Sequence, residues 1–182
     1  MRLHTRVLVA SLAVALFGAL SAMALAASPH FKHGGEPVCT ITGSGTSSST
    51  TCTASLSGLG GGDLTLSTTV SGFAVYQCQN PGGNIAPGQN RVLVGPTTTP
   101  TTIPGSAIKN GNLTFTTNPA VLTAPSTVSG TAAGCPNGGW TGVNPTLTTT
   151  NITLTIAQGG VTLFTCTASN PNGLSGTVPL TC

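Results

Sequence analysis

Between Asp63 and Gln89 the chain reads DLTLSTTVSGFAVYQCQNPGGNIAPGQ, and its apolar positions fall on one parity. Leu64, Leu66, Val70, Ala74, Tyr76 and Cys78 alternate with Thr65, Ser67, Thr69 and Ser71, so in an extended chain they share a face. From Phe73 and Val75 onward the second face is apolar too. A strand half exposed at its start and apolar on both sides at its end fits the middle of a sheet. Gly72 stands at the change and marks a possible bulge site. Asn80 to Asn90, with two prolines and three glycines, reads as a loop.

The other readable segments are partners for that strand. Val38, Cys39 and Ile41 alternate with threonines, and Cys52, Ala54 and Leu56 do the same after a Gly/Ser/Thr turn over 44–51. Gly60-Gly61-Gly62 turns the chain into the long strand. Thr97 to Pro104, TTTPTTIP, is too rich in proline for a central strand and belongs on an edge or over the surface. Asn110-Gly111 predicts a type I′ hairpin turn, because both positions require positive φ; it would pair Lys109 with Asn112 and Ile108 with Leu113. Residues 117–134 alternate only weakly. Cys135 to Pro145, CPNGGWTGVNP, reads as another loop. Ile152, Leu154 and Ile156 form the cleanest alternating strand, and Gln158-Gly159-Gly160 folds it back onto Val161 to Cys166. No segment after residue 26 has a 3.6-residue apolar period or a helix cap, and no fixed-period repeat occurs. The pattern predicts an all-β fold: an Ig-like or Greek-key β-sandwich of about seven to nine strands.

The first residues change the picture of where this fold operates. Arg2 and Arg6 precede an apolar run, Val7 to Leu25, that ends in Ala24-Leu25-Ala26. This is the layout of a signal peptide over residues 1–26, cleaved after Ala26 or Ala27, rather than of an anchor. Residues 27–36, ASPHFKHGGE, have no periodicity and are expected to be a flexible tail. Residues 37–182 are expected to form the single sandwich domain, with no membrane insertion once the signal is removed. All 6 cysteines lie in the exported part, and an even number in a secreted chain reads as disulfides.

Charge then removes whole classes of function. Only 4% of residues are charged. After the signal, Lys32, Arg91 and Lys109 face Glu36 and Asp63. Three bases release too few counterions for nucleic-acid binding and too little charge for an anionic membrane surface. A paired-carboxylate hydrolase would have to bring a tail residue, Glu36, against a turn residue, Asp63. No G-x-S-x-G elbow occurs, and His30 and His33 lie beside the N-terminus. The chain is therefore expected to be non-enzymatic and without cofactors. His30 and His33, with Glu36, are weak metal candidates; a solvated segment is the plainer reading. Calcium would need carboxylate clusters, which the sequence lacks.

Two loops carry the remaining candidate chemistry. Cys78 and Cys135 each stand beside a Pro/Asn/Gly-Gly motif, CQNPGG and CPNGG, and are expected to be bridged, pinning the loops together at one end of the sandwich. The partners of Cys39, Cys52, Cys166 and Cys182 stay open. Trp140, with Asn80, Asn84 and Asn137, could hold the face of a sugar; the plainer reading of Trp140 is a plug over the core edge. A cell-wall glycan or another surface protein is the partner these loops would suit. Threonine is the commonest residue. Its T-x-T pairs (Thr114/Thr116, Thr153/Thr155) resemble ice-binding arrays, but β-propensity accounts for them without a regular repeat.

As an ordered set, SGLGGGDLTL, YQCQNPGGNIAPGQN, IKNGNLTF, GCPNGGW and ITLTIAQGG resemble a group of small, functionally uncharacterised exported bacterial proteins, chiefly actinobacterial. The likeness spans most of residues 37–166. It implies export and a β-rich fold, and it carries no activity or site residue to this chain.

Overall fold

A computed structural model describes residues 28–171 and 174–182. The expected signal peptide, with its cleavage positions at Ala26 and Ala27, lies outside the described residues. The described residues form eleven strands: β1 (His30–Phe31), β2 (Val38–Ser44), β3 (Ser47–Ser57), β4 (Leu64–Gln79), β5 (Ile85–Ile103), β6 (Leu113–Thr116), β7 (Ala120–Thr123), β8 (Val128–Ser129), β9 (Thr141–Gln158), β10 (Val161–Asn170) and β11 (Gly176–Pro179). They build two antiparallel sheets, a β-sandwich. In the first, β3 pairs with β1, β2, β6 and β7, and β11 pairs with β2. The second has the order β10-β9-β4-β5, with β8 added to β9.

The long strand from Leu64 is central, as its pattern predicts. It pairs with β5 along one side and with β9 along the other. Its even positions from Leu64 to Cys78 are all buried. They meet Ile41, Leu56, Leu113, Phe115 and Leu122 of the opposing sheet and Ile152, Leu154 and Ile156 of β9 in one core. Gly72 marks a register shift against β5. A Cβ built there would lie 2.0 Å from the Thr149 carbonyl oxygen, so only glycine lets β9 approach. The outer face near Phe73 and Val75 is half-buried rather than covered by another layer.

Three expectations are corrected. The segment 27–36, read as a flexible tail, is docked from His30 to Gly35. His30 and Phe31 pair with Ser57 and Leu56, Lys32 N–H donates to Ser55 O, and Ser55 N–H donates to Gly35 O. Phe31 also stacks on Phe164 with ring centroids 4.5 Å apart. One aromatic with a β3 edge beside it suffices to fix a segment that has no periodicity of its own. Second, the loops expected over 80–90 and 135–145 are shorter. From Ile85 the chain is already β5, and from Thr141 it is already β9. Proline is tolerated at Pro87, Pro96 and Pro100 because β5 is an edge strand. Third, residues 130–133 make one helical turn, α1 (Gly130–Ala133). Ser129 caps it, accepting from Ala132 N–H, and Gly134 ends it with φ 67°. The strand count exceeds seven to nine because short pieces such as β1, β7, β8 and β11 carry too few residues to show a period.

Both tight turns form where expected. Lys109 and Asn112 bridge around Asn110 (φ 52°) and Gly111 (φ 74°). Val161 pairs with Gln158 around Gly159 and Gly160, both at positive φ.

Candidate functional site

Cys78 and Cys135 are joined, with their Cα atoms 5.6 Å apart. The bond ties the end of β4 to the segment after α1. It thereby holds the Asn80–Asn84 loop beside the 135–140 loop. Between them lies a cleft of about 370 Å³ lined by Gln79, Asn80, Pro81, Gly83, Gly139 and Thr141.

The two loops are rigid for local reasons. Asn80 Oδ1 accepts from Asn84 N–H at 2.9 Å, and Asn80 O accepts from Gly83 N–H at 2.9 Å. Asn137 uses Oδ1 on Gly139 N–H at 3.0 Å and its main-chain carbonyl on Trp140 N–H at 3.0 Å. Asn137 makes an Asx turn, in which a carboxamide oxygen replaces a backbone acceptor, and Asn80 closes a wider loop in the same manner. The Asn80 and Asn137 side-chain oxygens each accept one bond, which leaves their N–H₂ groups as donors outside these loop contacts.

Of the four candidate ligand residues, Asn80 lines the cleft; Trp140, Asn84 and Asn137 do not. Trp140 is half-buried and packs against the core, the plug arrangement. Its main chain lies so close to Gly130 that a Cβ there would be 2.3 Å from the Trp140 carbonyl oxygen. The main chain of the second loop thus lies directly against α1, an approach that Gly130 permits.

Titratable groups sit elsewhere. Asp63 Oδ1 accepts from Gly105 N–H at 2.8 Å and so clamps the turn that follows β5. His30 Nδ1 lies 2.9 Å from the Ser28 carbonyl oxygen, on β1. His33 follows in an exposed turn. Among the described residues no three His, Cys, Asp or Glu side chains converge as a metal site. The cysteines left open in sequence pair as Cys39–Cys52 and Cys166–Cys182.

A second region was missed in sequence. Gln77 and Asn144 meet on the outer face of the second sheet, where Asn144 Nδ2 donates to Gln77 Oε1 at 2.8 Å. Asn144 falls in the stretch whose pattern predicts a loop, and Gln77 near the end of the long strand. The available signal was Gln77 itself, an amide on the face that Phe73 and Val75 otherwise make apolar.

No protein-family model matches the chain, and no curated protein matches it. Among solved structures it is similar to a glycosyl hydrolase family 2 member from Bacteroides cellulosilyticus DSM 14838. That match has a TM-score of 0.43 and 10% identity, over 80% of this chain and 15% of that one. It is also similar to a Bacteroides uniformis beta-glucuronidase, with a TM-score of 0.35 and 12% identity, over 80% of this chain and 14% of that one. The chain thus spans about a seventh of the length of these enzymes.

Proposed function

We propose that this protein is secreted and serves at the cell exterior as a non-enzymatic structural or interaction module. The observation that carries this reading is the closure of all 6 cysteines into three disulfides within one sandwich. Such bonds persist in oxidising surroundings outside the cytoplasm. The few ionisable side chains support it, since Asp63 is engaged in holding a turn rather than facing a cleft. The resemblance to exported bacterial proteins points the same way. The test is fractionation of the producing cell with thiol counting: the protein is expected in the medium or wall fraction, shortened by the signal and without free thiols. Retention in the cytoplasm with reduced cysteines would overturn it. A broad hydrolase screen is expected to detect no turnover.

A second reading is favoured by the cleft between the pinned loops. Here the module binds carbohydrate or cell wall, with Asn80, Asn84 and Asn137 offering amide donors and Trp140 bracing the loop. Co-sedimentation with insoluble cell wall tests it. Retention lost in Asn80→Ala and Asn137→Ala supports the reading; protein that stays in the supernatant refutes it.

A further inference from the structure

From the pair Gln77–Asn144 we infer a binding site for uncharged glycans on the outer face of the second sheet, distinct from the loop cleft. At this level β4 slips register against both of its neighbours, between Val75 and Gln77. Irregularities of this kind re-aim side chains. Asn144 has φ 49°, the left-handed region that a residue with a Cβ rarely occupies. The conformation brings its carboxamide onto Gln77. Once the two amides bond to each other, three N–H donors and three acceptor lone pairs remain, among them one whole N–H₂ group and one whole carbonyl, whichever way each amide is turned. Neither has a second partner among the described residues.

Asn144 stands between two clefts. One, of about 380 Å³, is lined by Val75, Gln77, Pro87, Gly88 and Thr146. The other, of about 570 Å³, is lined by Ala124, Pro125, Pro145 and neighbouring hydroxyl residues. Both volumes lie in the range of small-ligand sites, and both combine apolar walls with few polar groups. The chemistry selects the occupant. Neighbouring sugar hydroxyls accept from one amide and donate to the other, while the C–H face of the ring rests on Val75 and Pro87. An anion is disfavoured, because no cation lines either cleft and the Arg91 guanidinium is held 4.6 Å over the Phe73 ring. A peptide strand would need an open sheet edge. Beside this site α1 lies against the β5 edge: a Cβ on Gly88 would lie 2.8 Å from the Ala133 carbonyl oxygen of α1.

The experiment is amide-detected NMR titration of the oxidised chain with cellohexaose, xylohexaose, laminarihexaose and N-acetylchitohexaose, and with a proline-rich peptide as control. At least one oligosaccharide is expected to shift the Gln77 and Asn144 side-chain resonances saturably. Affinity should fall about fivefold to tenfold in Gln77→Ala and in Asn144→Gly, the loss of one uncharged hydrogen bond. Asn144→Gly keeps a residue suited to positive φ, so the fold survives the change. The inference is overturned if no sugar moves these resonances, if both variants bind as the parent does, or if the peptide alone moves them. Shifts confined to Asn80 and Thr141 would also overturn it, and would support the loop cleft instead. None of these outcomes bears on the secreted structural role.

Discussion

Thr68 sits in the middle of β4 with its hydroxyl fully buried and without a hydrogen-bond partner, as do Ser48 and Thr50 from the opposing sheet. A buried hydroxyl without a partner costs its desolvation and returns nothing. Thr68→Val keeps the β-branched shape and is expected to stabilise the fold by about 1–2 kcal/mol, read from urea denaturation. A loss of stability would show that the hydroxyl has a partner, such as a bound water. Tyr76 behaves differently. It is buried, its hydroxyl donates to the Pro125 carbonyl at 2.9 Å, and burial pushes its pKa above the ordinary value of 10.0. The folded state therefore holds the phenolic proton to higher pH than the unfolded chain does. Stability is fully present below pH 10 and is lost as pH rises through the raised folded value. Tyr76→Phe should abolish that alkaline loss while costing about 1 kcal/mol near neutrality. An unchanged alkaline limb in the variant would refute the assignment.

At the scale of elements, the register between strands organises what single residues cannot. Thr167, Thr153, Thr69 and Thr98 come from four different strands and fall in one row across the second sheet. Thr69 and Thr98 hydrogen-bond at 2.8 Å. On the first sheet Ser55 bonds Thr114 at 2.8 Å and Ser47 bonds Thr123 at 3.0 Å. Hydroxyls cover both outer faces alike, which is what β-propensity predicts for exposed strand positions. The bulge at Gly72 is the sharper element-level constraint. Gly72→Ala forces a Cβ against the Thr149 carbonyl and is expected to cost about 3 kcal/mol or more, by splitting β4 from β9. Gly61→Ala meets nothing within 4 Å and should leave stability almost unchanged. Equal thermal shifts in the two variants would contradict the close approach.

The whole molecule is held by three covalent links of different reach. Cys39–Cys52 joins directly opposed residues of the β2–β3 hairpin and spans 13 residues. Cys166–Cys182 spans 16 and, with the Thr167–Thr181 bridge, closes the seam between β10 and the end of the chain. Cys78–Cys135 spans 57 and pins the loop end. On loop entropy alone, removing Cys78–Cys135 should cost about 4 kcal/mol, against about 3 kcal/mol for either shorter loop. Chemical denaturation of the three double Cys→Ala variants checks the order; a smaller loss for Cys78/Cys135 would refute it. The opposite seam is closed without sulfur, by Asn118 N–H donating to Thr101 Oγ1 at 2.7 Å and its side chain donating to Pro100 O at 3.0 Å.

The β-sandwich, the central place of β4 and the Asn110-Gly111 and Gly159-Gly160 turns were legible in the sequence, because period-2 burial and positive φ act over a few neighbouring residues. The Cys78–Cys135 bond, though it spans 57 residues, was legible from the matching motifs beside the two cysteines. The docking of His30–Phe31, the extension of β5 and β9 into glycine- and proline-rich stretches, and the α1 turn were not. Phe31 and α1 depend on partners distant in the chain, Phe164 and the β5 backbone at Gly88, and the start of β9 depends on the end of β4. In contrast, β5 begins as the return arm beside β4, in a stretch whose prolines hide the pairing. The same division holds at the candidate sites. Composition made amides and hydroxyls far commoner than ionisable groups, since side-chain types are fixed by sequence. Only tertiary packing turned Trp140 into a brace, placed Asn80 opposite Gly139, and set Asn144 against Gln77 across 67 residues of chain.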